Sequence, residues 1–323
     1  MENKNNTLNF CQVSLVRDLP LILINFKELK KIYKEFKLYV ICPSKEFDVF
    51  KKELNFEQIK VISEDDIIPF DKFKYIFDQE MTSSSFKNLM HDRLQWYYQQ
   101  LLKISFVLDF VSKKNQKIVI WDADTIILKK IKFFKNDLSV KYGTVFEFHK
   151  PYYNTNEVLL KKLPNCYLSF VCQFVALSPK ECSFFLSRAN EFLEKQKSTS
   201  EWFAKIMFRI INEGNSIYSG SLFSEFELIG MSNYLLKNDK QKSLNTLRYG
   251  LNGILTKNQT VVSKVLGISH VTYEHSHPNE NSKGMLKRDQ SWKIFIKILI
   301  KNFYKYYLRT IRHNFNFFLK KNS

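Results

Sequence analysis

Lys117-Ile-Val-Ile-Trp-Asp122-Ala-Asp124-Thr-Ile-Ile-Leu128 sets four β-forming residues directly against two carboxylates one residue apart, then resumes with an apolar run. A short apolar run bounded by polar residues reads as a buried strand of an α/β sheet. The Asp-x-Asp then lies where that strand ends, the edge at which open α/β sheets bind their ligands. Acids are poor strand residues, so two of them here cost sheet stability and call for a reason. A hard divalent cation supplies one: Mg2+ and Mn2+ take oxygen ligands and are commonly held by one or two carboxylates together with substrate phosphates. A helix cap beside a solvated loop residue has the same letters, so the surrounding chain decides.

Upstream, Leu8–Val16 reads as a first strand ending at Arg17-Asp18, followed by an amphipathic helix from Leu21 to Phe36 with Pro20 in its first turn. Leu38–Cys42 is a second buried strand, 45–54 a short helix and Ile59–Ile62 a third strand. Strand, helix, strand, helix, strand opens a doubly wound sheet. Arg17 and Asp18 fall where the first strand meets the first helix, a place suited to gripping a base, ribose or phosphate. Ser63-Glu-Asp-Asp66 reads as a dipole-stabilised helix start and not as a metal cluster.

A long helix is expected over 90–111. It carries Arg93, Trp96, Gln99, Gln100 and Lys103 among apolar Leu94, Tyr97, Leu101 and Ile104, with Gln99 and Lys103 four apart on one face. Trp, Gln and Lys in one stripe suit stacking on, and hydrogen-bonding to, a sugar nucleotide; a half-buried helix with a polar outer face is the plain alternative. Tyr142–His149 reads as a strand, Lys150-Pro-Tyr-Tyr-Asn as a loop, Ser169–Leu177 as a strand, and a helix pair follows to about Asn212. Ser224-Glu-Phe-Glu-Leu-Ile-Gly230 is expected near a turn, and in an extended chain Glu225 and Glu227 would share a face. Tyr273-Glu-His-Ser-His-Pro278 brings His275 and His277 together late in the chain.

Composition limits the alternatives. At 323 residues and 45% hydrophobic content the chain can bury a full core. Five Cys without ligand spacing read as free thiols of a reducing compartment and not as ligands of a structural zinc. The first residues lack a basic-then-apolar leader, and no apolar run approaches the roughly 18–20 residues that span a bilayer. The expected location is therefore cytoplasmic, peripheral to the inner face of the membrane. A net charge of +18 asks for an acidic partner. From Ser291 onward the chain carries eight Lys or Arg, no acid and nine aromatics. Lys293, Lys297, Lys301, Lys305 and Arg309 sweep one half of a helical wheel; Trp292, Phe295, Ile296, Leu299, Ile300, Phe303, Tyr306 and Tyr307 fill the other, with Ile294, Ile298 and Leu308 on the basic side. Such a helix suits an anionic membrane surface, and docking on the protein's own core is the alternative. The expected organisation is a domain over 1–285 and a basic, aromatic amphipathic tail over 286–323.

With these segments placed, the chain resembles nucleotide-sugar glycosyltransferases of the GT-A class, and most of all a bacterial, polysaccharide- and lipopolysaccharide-associated family known mainly by a domain-of-unknown-function label. The likeness rests on Arg17-Asp18, the Trp96–Lys103 helix, Asp122-Ala-Asp124, Ser169-Phe-Val-Cys-Gln173 and Ser224–Gly230, spanning roughly 8–280. It implies a GT-A-like, Rossmann-type mixed sheet flanked by helices, with the Asp-x-Asp holding Mn2+ or Mg2+ against the donor diphosphate. It further implies a late His in the metal shell (His277 or His275, with His149 an outsider). The company of these motifs and a tail suited to lipid-bound acceptors lead to the expectation of a glycan or lipid-linked acceptor of lipopolysaccharide or capsule type and of no nucleic-acid partner. An inverting transfer needs a carboxylate to deprotonate the acceptor, and Glu225 or Glu227 is the candidate. Two other readings compete. A haloacid-dehalogenase-type phosphatase also runs a strand into Asp-x-Asp, yet places a Thr four residues past the first Asp, where this chain has Ile126. A nucleic-acid binder would explain the charge, but no zinc-finger, helix-turn-helix or RNP-like pattern appears.

Overall fold

The computed structural model describes residues 7–81, 90–144, 148–164, 166, 168–215, 221–248, 251, 253–273, 289–304 and 307. In chain order the elements that position the site are β1 (Leu8–Val13), α1 (Leu19–Ile32), β2 (Phe36–Cys42), α2 (Phe47–Glu53), β3 (Ile59–Ser63), α3 (Phe70–Glu80), α4 (Leu94–Lys114), β4 (Ile118–Trp121) and β5 (Thr125–Ile127). They continue with α5 (Lys150–Leu160), β6 (Phe174–Leu177), α6 (Pro179–Phe192), α7 (Thr199–Gly214), α8 (Glu225–Leu236), β7 (Thr246–Leu247), α9 (Lys257–Val265) and β8 (His270–Thr272). A last helix, α10, covers 292–304.

The main sheet has the order β3-β2-β1-β4-β6. β1 pairs in parallel with β2 and β4, β2 with β3, and β6 closes the edge antiparallel to β4. This is the expected mixed α/β sheet flanked by helices. Alternation along the strands sends Cys11, Val13, Ile41, Ile118 and Ile120 to one face, under α3, α4, α6, α7 and α8. Phe10, Leu38, Val40, Val119 and Trp121 point to the other, under α1 and α2. The order reverses direction between β1 and β4, so a crevice opens beyond the C-terminal ends of these two strands, as in other doubly wound sheets.

A second sheet, β7-β8-β5, hangs from the end of β4: β5 runs antiparallel to β8, with Ile126 opposite Val271. Its apolar face gathers Ile126, Leu128, Leu247, Val271 and Tyr273 with Leu21 of α1 and with Phe295, Ile298 and Leu299 of α10. The tail helix thus docks on the body through one of its faces. Burying three such side chains contributes about 1.5–3 kcal/mol each as an upper bound.

Several local expectations are corrected. α1 ends at Ile32, and Phe36 belongs to β2. Lys150-Pro-Tyr-Tyr-Asn is not a loop but the first turn and a half of α5, where Pro151 is tolerated because the first-turn N–H groups have no intrahelical partner. Of the strand expected over Tyr142–His149, the described residues show Tyr142–Gly143 and a bridge from Thr144 to Ser169, 145–147 lie outside the described residues, and His149 stands at the N-cap position of α5. The strand expected from Ser169 begins only at Phe174, because Gln173 adopts a left-handed φ of 65°. Ser224–Gly230 is not extended: Ser224 caps α8 by accepting from the Glu227 backbone N–H. Ser63-Glu-Asp-Asp66 is a short capped turn of 3-10 helix, as expected.

Candidate active site

The crevice between β1 and β4 holds a cleft of ≈ 270 Å³ whose walls include Arg17, Asp18, Trp96, Gln99, Gln100, Lys103, Asp122, Asp124 and Glu225. Nine residues singled out from sequence therefore meet in one place, although they come from four separate segments. Asp18 is fixed as a carboxylate at the turn after β1, accepting from the Leu15 N–H at 2.9 Å; Arg17 beside it is exposed, with Nε 3.8 Å from Asp18 Oδ1. From α4, Gln99 reaches back to the Val13 carbonyl at 3.4 Å, and Gln100 Oε1 accepts from the Glu225 N–H at 3.1 Å. Gln100 is 1% exposed, and among the described residues its Nε2 has no hydrogen-bond partner.

The Asp-x-Asp turn is held on three sides. The Asp122 N–H donates to Gln173 O at 3.0 Å, the Thr125 N–H to Asp122 O at 3.1 Å, and the Tyr273 N–H to Asp124 O at 2.9 Å. Trp121 Nε1 donates to Thr125 O at 2.7 Å, which satisfies an indole otherwise buried in the core. Lys103 reaches out of α4 to join the first aspartate to α8: its Nζ lies 2.5 Å from Asp122 Oδ1 and 2.8 Å from Glu225 Oε1, and 5.0 Å above the Phe226 ring. Burial by itself opposes an ammonium here, yet Asp122 and then Glu225 hold the Lys103 pKa above its usual range. The same burial raises the Glu225 pKa: one ammonium shared with Asp122 does not offset a fully desolvated carboxylate.

Other expected residues stand elsewhere. Glu227, two residues on in the same helix, turns away and accepts from Ser169 Oγ at 2.6 Å and from the Phe170 N–H at 3.0 Å. Helical spacing, and not the extended spacing expected, separates the two glutamates. Close packing at this contact requires Gly230, since a Cβ there would come within 2.2 Å of the Phe170 ring. Arg93 sits before α4 and donates to Ser221 Oγ, outside the cleft walls. His149 is 2.6 Å from the Ser221 carbonyl and is likewise not a wall residue. His275 and His277 lie outside the described residues.

Tyr152, Gln173, Arg248 and Thr272 also line the cleft and were not singled out from sequence. The Gln173 amide oxygen, oriented toward Arg248, accepts from Nε at 3.1 Å. That clamp goes with the positive φ of Gln173, a conformation that costs a non-glycine residue roughly 1–2 kcal/mol. Gln173 was visible only as part of a quoted motif, and nothing in the sequence around Arg248 marked it. Behind them His270 is fully buried, and burial followed by the Arg248 charge lowers its pKa to about 3, so it is neutral.

Asp122 and Asp124 offer oxygen donors of the kind a hard cation takes, and the cleft leaves its remaining shell to substrate phosphates and water. Among the described residues no group of three or more His, Cys, Asp or Glu is placed to hold a metal ion. The donor set fits a metal shared with its substrate. Ile126, where a dehalogenase-type phosphatase needs a hydroxyl, is buried in the apolar cluster with Tyr273 and Phe295.

Residues 14–207 match a family of unknown function (DUF6492). The chain belongs to this family. The matched span carries Arg17, Asp18, α4, the Asp-x-Asp and Gln173 of the DUF6492 cleft, whereas Glu225, Arg248 and Thr272 lie beyond it. No curated protein matches the chain. Among solved structures it is similar to the crystal structure of mouse xyloside xylosyltransferase 1 in its apo form, at 12% identity and a TM-score of 0.42, over 85% of this chain and 98% of that one.

Proposed function

We propose that the chain is a metal-dependent glycosyltransferase of GT-A kind. It moves a sugar from a nucleotide-sugar to a cell-surface glycan or lipid-linked acceptor, of lipopolysaccharide or capsule type, at the inner face of the cell membrane. The observation that carries this reading is the convergence of Asp122 and Asp124 with Arg17, Asp18, Trp96 and Arg248 in the crevice at the switch point of the sheet. When bound, Mn2+ or Mg2+ supplies positive charge to the diphosphate as it leaves. Arg248, held by Gln173, and Arg17 at the rim meet the same anion. Trp96 offers a ring for stacking, and Gln99, Gln100 and Asp18 offer amide and carboxylate partners for donor hydroxyls.

Lys103 fixes Asp122 and Glu225 and keeps their like charges apart. Glu225 is the acceptor-side carboxylate. In an inverting transfer it takes the proton of the attacking hydroxyl, a task its raised pKa suits; in a retaining transfer it orients that hydroxyl. The basic balance of the chain serves a polyanionic donor and an anionic surface, not nucleic acid.

Thermal-shift measurements with UDP-, GDP-, CMP- and dTDP-sugars, with and without Mn2+, test the reading. One donor class should raise the melting temperature, and only with metal. Stabilisation by none of them, together with phosphate release from small phosphomonoesters, would overturn it in favour of the phosphatase.

A further inference from the structure

α10 has two apolar faces, and among the described residues only one of them is used by the fold. Phe295, Ile298 and Leu299 are buried against the β5–β8 sheet, with Asn302 beside them. Trp292, Ile296, Ile300, Phe303, Tyr304 and Tyr307 are instead 41–65% exposed. Stepped at about 100° per residue, the helix divides into three neighbouring sectors. The docked residues come first, then Trp292, Phe303, Ile296 and Ile300, then Lys293, Lys297 and Lys301 with Tyr304 among them. All three lysines are exposed. Single exposed hydrophobics are ordinary on a protein surface, but a contiguous row of them along one helix face is not. None of the described helices is long and apolar enough to cross a membrane.

We infer that the outer face of the docked helix α10, carrying Trp292, Ile296, Ile300 and Phe303, lies in the interface of an anionic bilayer with Lys293, Lys297 and Lys301 on its headgroup flank. The chemistry of both sectors selects this occupant. Aromatic and aliphatic side chains with a lysine row beside them match the acyl boundary and the negative headgroups respectively. A second copy of the chain would instead bring together two molecules of net charge +18.

Docking changes what the tail does. It is not a detachable anchor: Phe295 and Leu299 share a cluster with Ile126 and Val271, while Thr125 and Thr272, their neighbours in β5 and β8, meet through their hydroxyls at 2.9 Å beside Asp124. The bilayer plane is thereby fixed relative to the cleft, and an acceptor in the headgroup layer reaches it at a set height. This inference rests on the glycosyl-transfer reading only for what the membrane presents; the contact itself stands without it.

The test is flotation of the full chain with vesicles of phosphatidylcholine alone and of phosphatidylcholine with phosphatidylglycerol. An Ile296→Gln, Ile300→Gln, Phe303→Gln variant removes the outer apolar face, and a Lys293→Gln, Lys297→Gln, Lys301→Gln variant removes the charge. The wild type should partition to the anionic vesicles. The apolar variant should lose at least about tenfold in partitioning, and the lysine variant about a hundredfold. Melting temperature and the donor-induced thermal shift should be unchanged in both, because neither touches the docked face or the cleft. Equal partitioning of variants and wild type, equal binding to neutral vesicles, or a dimer that the apolar variant converts to monomer without any vesicle binding would each overturn the inference. A wild type that floats normally but responds to no nucleotide-sugar would overturn the glycosyl-transfer reading alone.

Discussion

Lys103 Nζ stands 2.5 Å from Asp122 Oδ1, so the first carboxylate of the Asp-x-Asp is neutralised by a cation that the fold supplies from α4. With Glu225 on the same ammonium at 2.8 Å, a triad of one positive and two negative groups forms the inner wall of the cleft. Removing one partner of a buried pair leaves charge uncompensated and is strongly destabilising.

Lys103→Met should therefore cost about 3–5 kcal/mol of unfolding free energy, read by urea denaturation. Adding Glu225→Gln to it should recover part of that loss, since one of the two stranded carboxylates becomes neutral. A single variant as stable as the wild type would contradict the triad.

The two glutamates of α8 should separate cleanly. Glu225→Gln keeps the side-chain shape at the cleft wall and should abolish transfer while leaving a cooperative fold. Glu227→Gln weakens the bonds from Ser169 Oγ and the Phe170 N–H, costing about 1–3 kcal/mol, with activity retained per folded molecule. Rates normalised to the folded fraction check this, and inactivity of folded Glu227→Gln with full activity of Glu225→Gln would reverse the assignment.

Gln173→Gly should relieve the left-handed backbone and release Arg248 together. Stability is expected to hold within about 1 kcal/mol, the relief offsetting the lost contact, while donor affinity falls about tenfold, roughly one charge-assisted hydrogen bond. Calorimetric titration with the donor measures it; unchanged affinity would remove the clamp from the donor site.

How much of this was legible beforehand differs element by element. The Asp-x-Asp and Arg17-Asp18 could be placed because buried parallel strands are short continuous apolar runs, and the polar residues that stop them stand out. α8 was missed although Ser224-x-x-Glu227 is a helix-start pattern, because the extended spacing of the glutamates was weighed instead. α5 was missed because Lys150-Pro-Tyr-Tyr-Asn has turn composition, while Pro151 is equally at home in a first helical turn. The Gln173–Arg248 contact and the partition of α10 into docked and outer faces depend on tertiary neighbours. Phe295 and Trp292 have the same character on a wheel, and only the β5–β8 sheet tells them apart.

His270 supplies a pH dependence with a definite sign. It is a base whose folded pKa, about 3, lies below its ordinary value of 6.5, so the unfolded chain binds the proton more readily. Its contribution to stability is fully present above pH 6.5 and is lost progressively as pH falls toward 3. The wild-type urea midpoint should fall over that window, and His270→Gln should flatten the fall by a few kcal/mol at its acid end. An identical slope in the variant would contradict a buried neutral imidazole.

The most direct measurement is calorimetric titration of the responding nucleotide-sugar into wild type, Asp122→Asn and Asp124→Asn, each in Mn2+ and again after a chelator. The expected result is tight binding for the wild type with Mn2+ and a loss of at least about tenfold on chelation. Both variants should already be weak and indifferent to the chelator. Binding that is equally tight in the chelated wild type, or in the folded variants, would contradict a cation held between those carboxylates and the diphosphate.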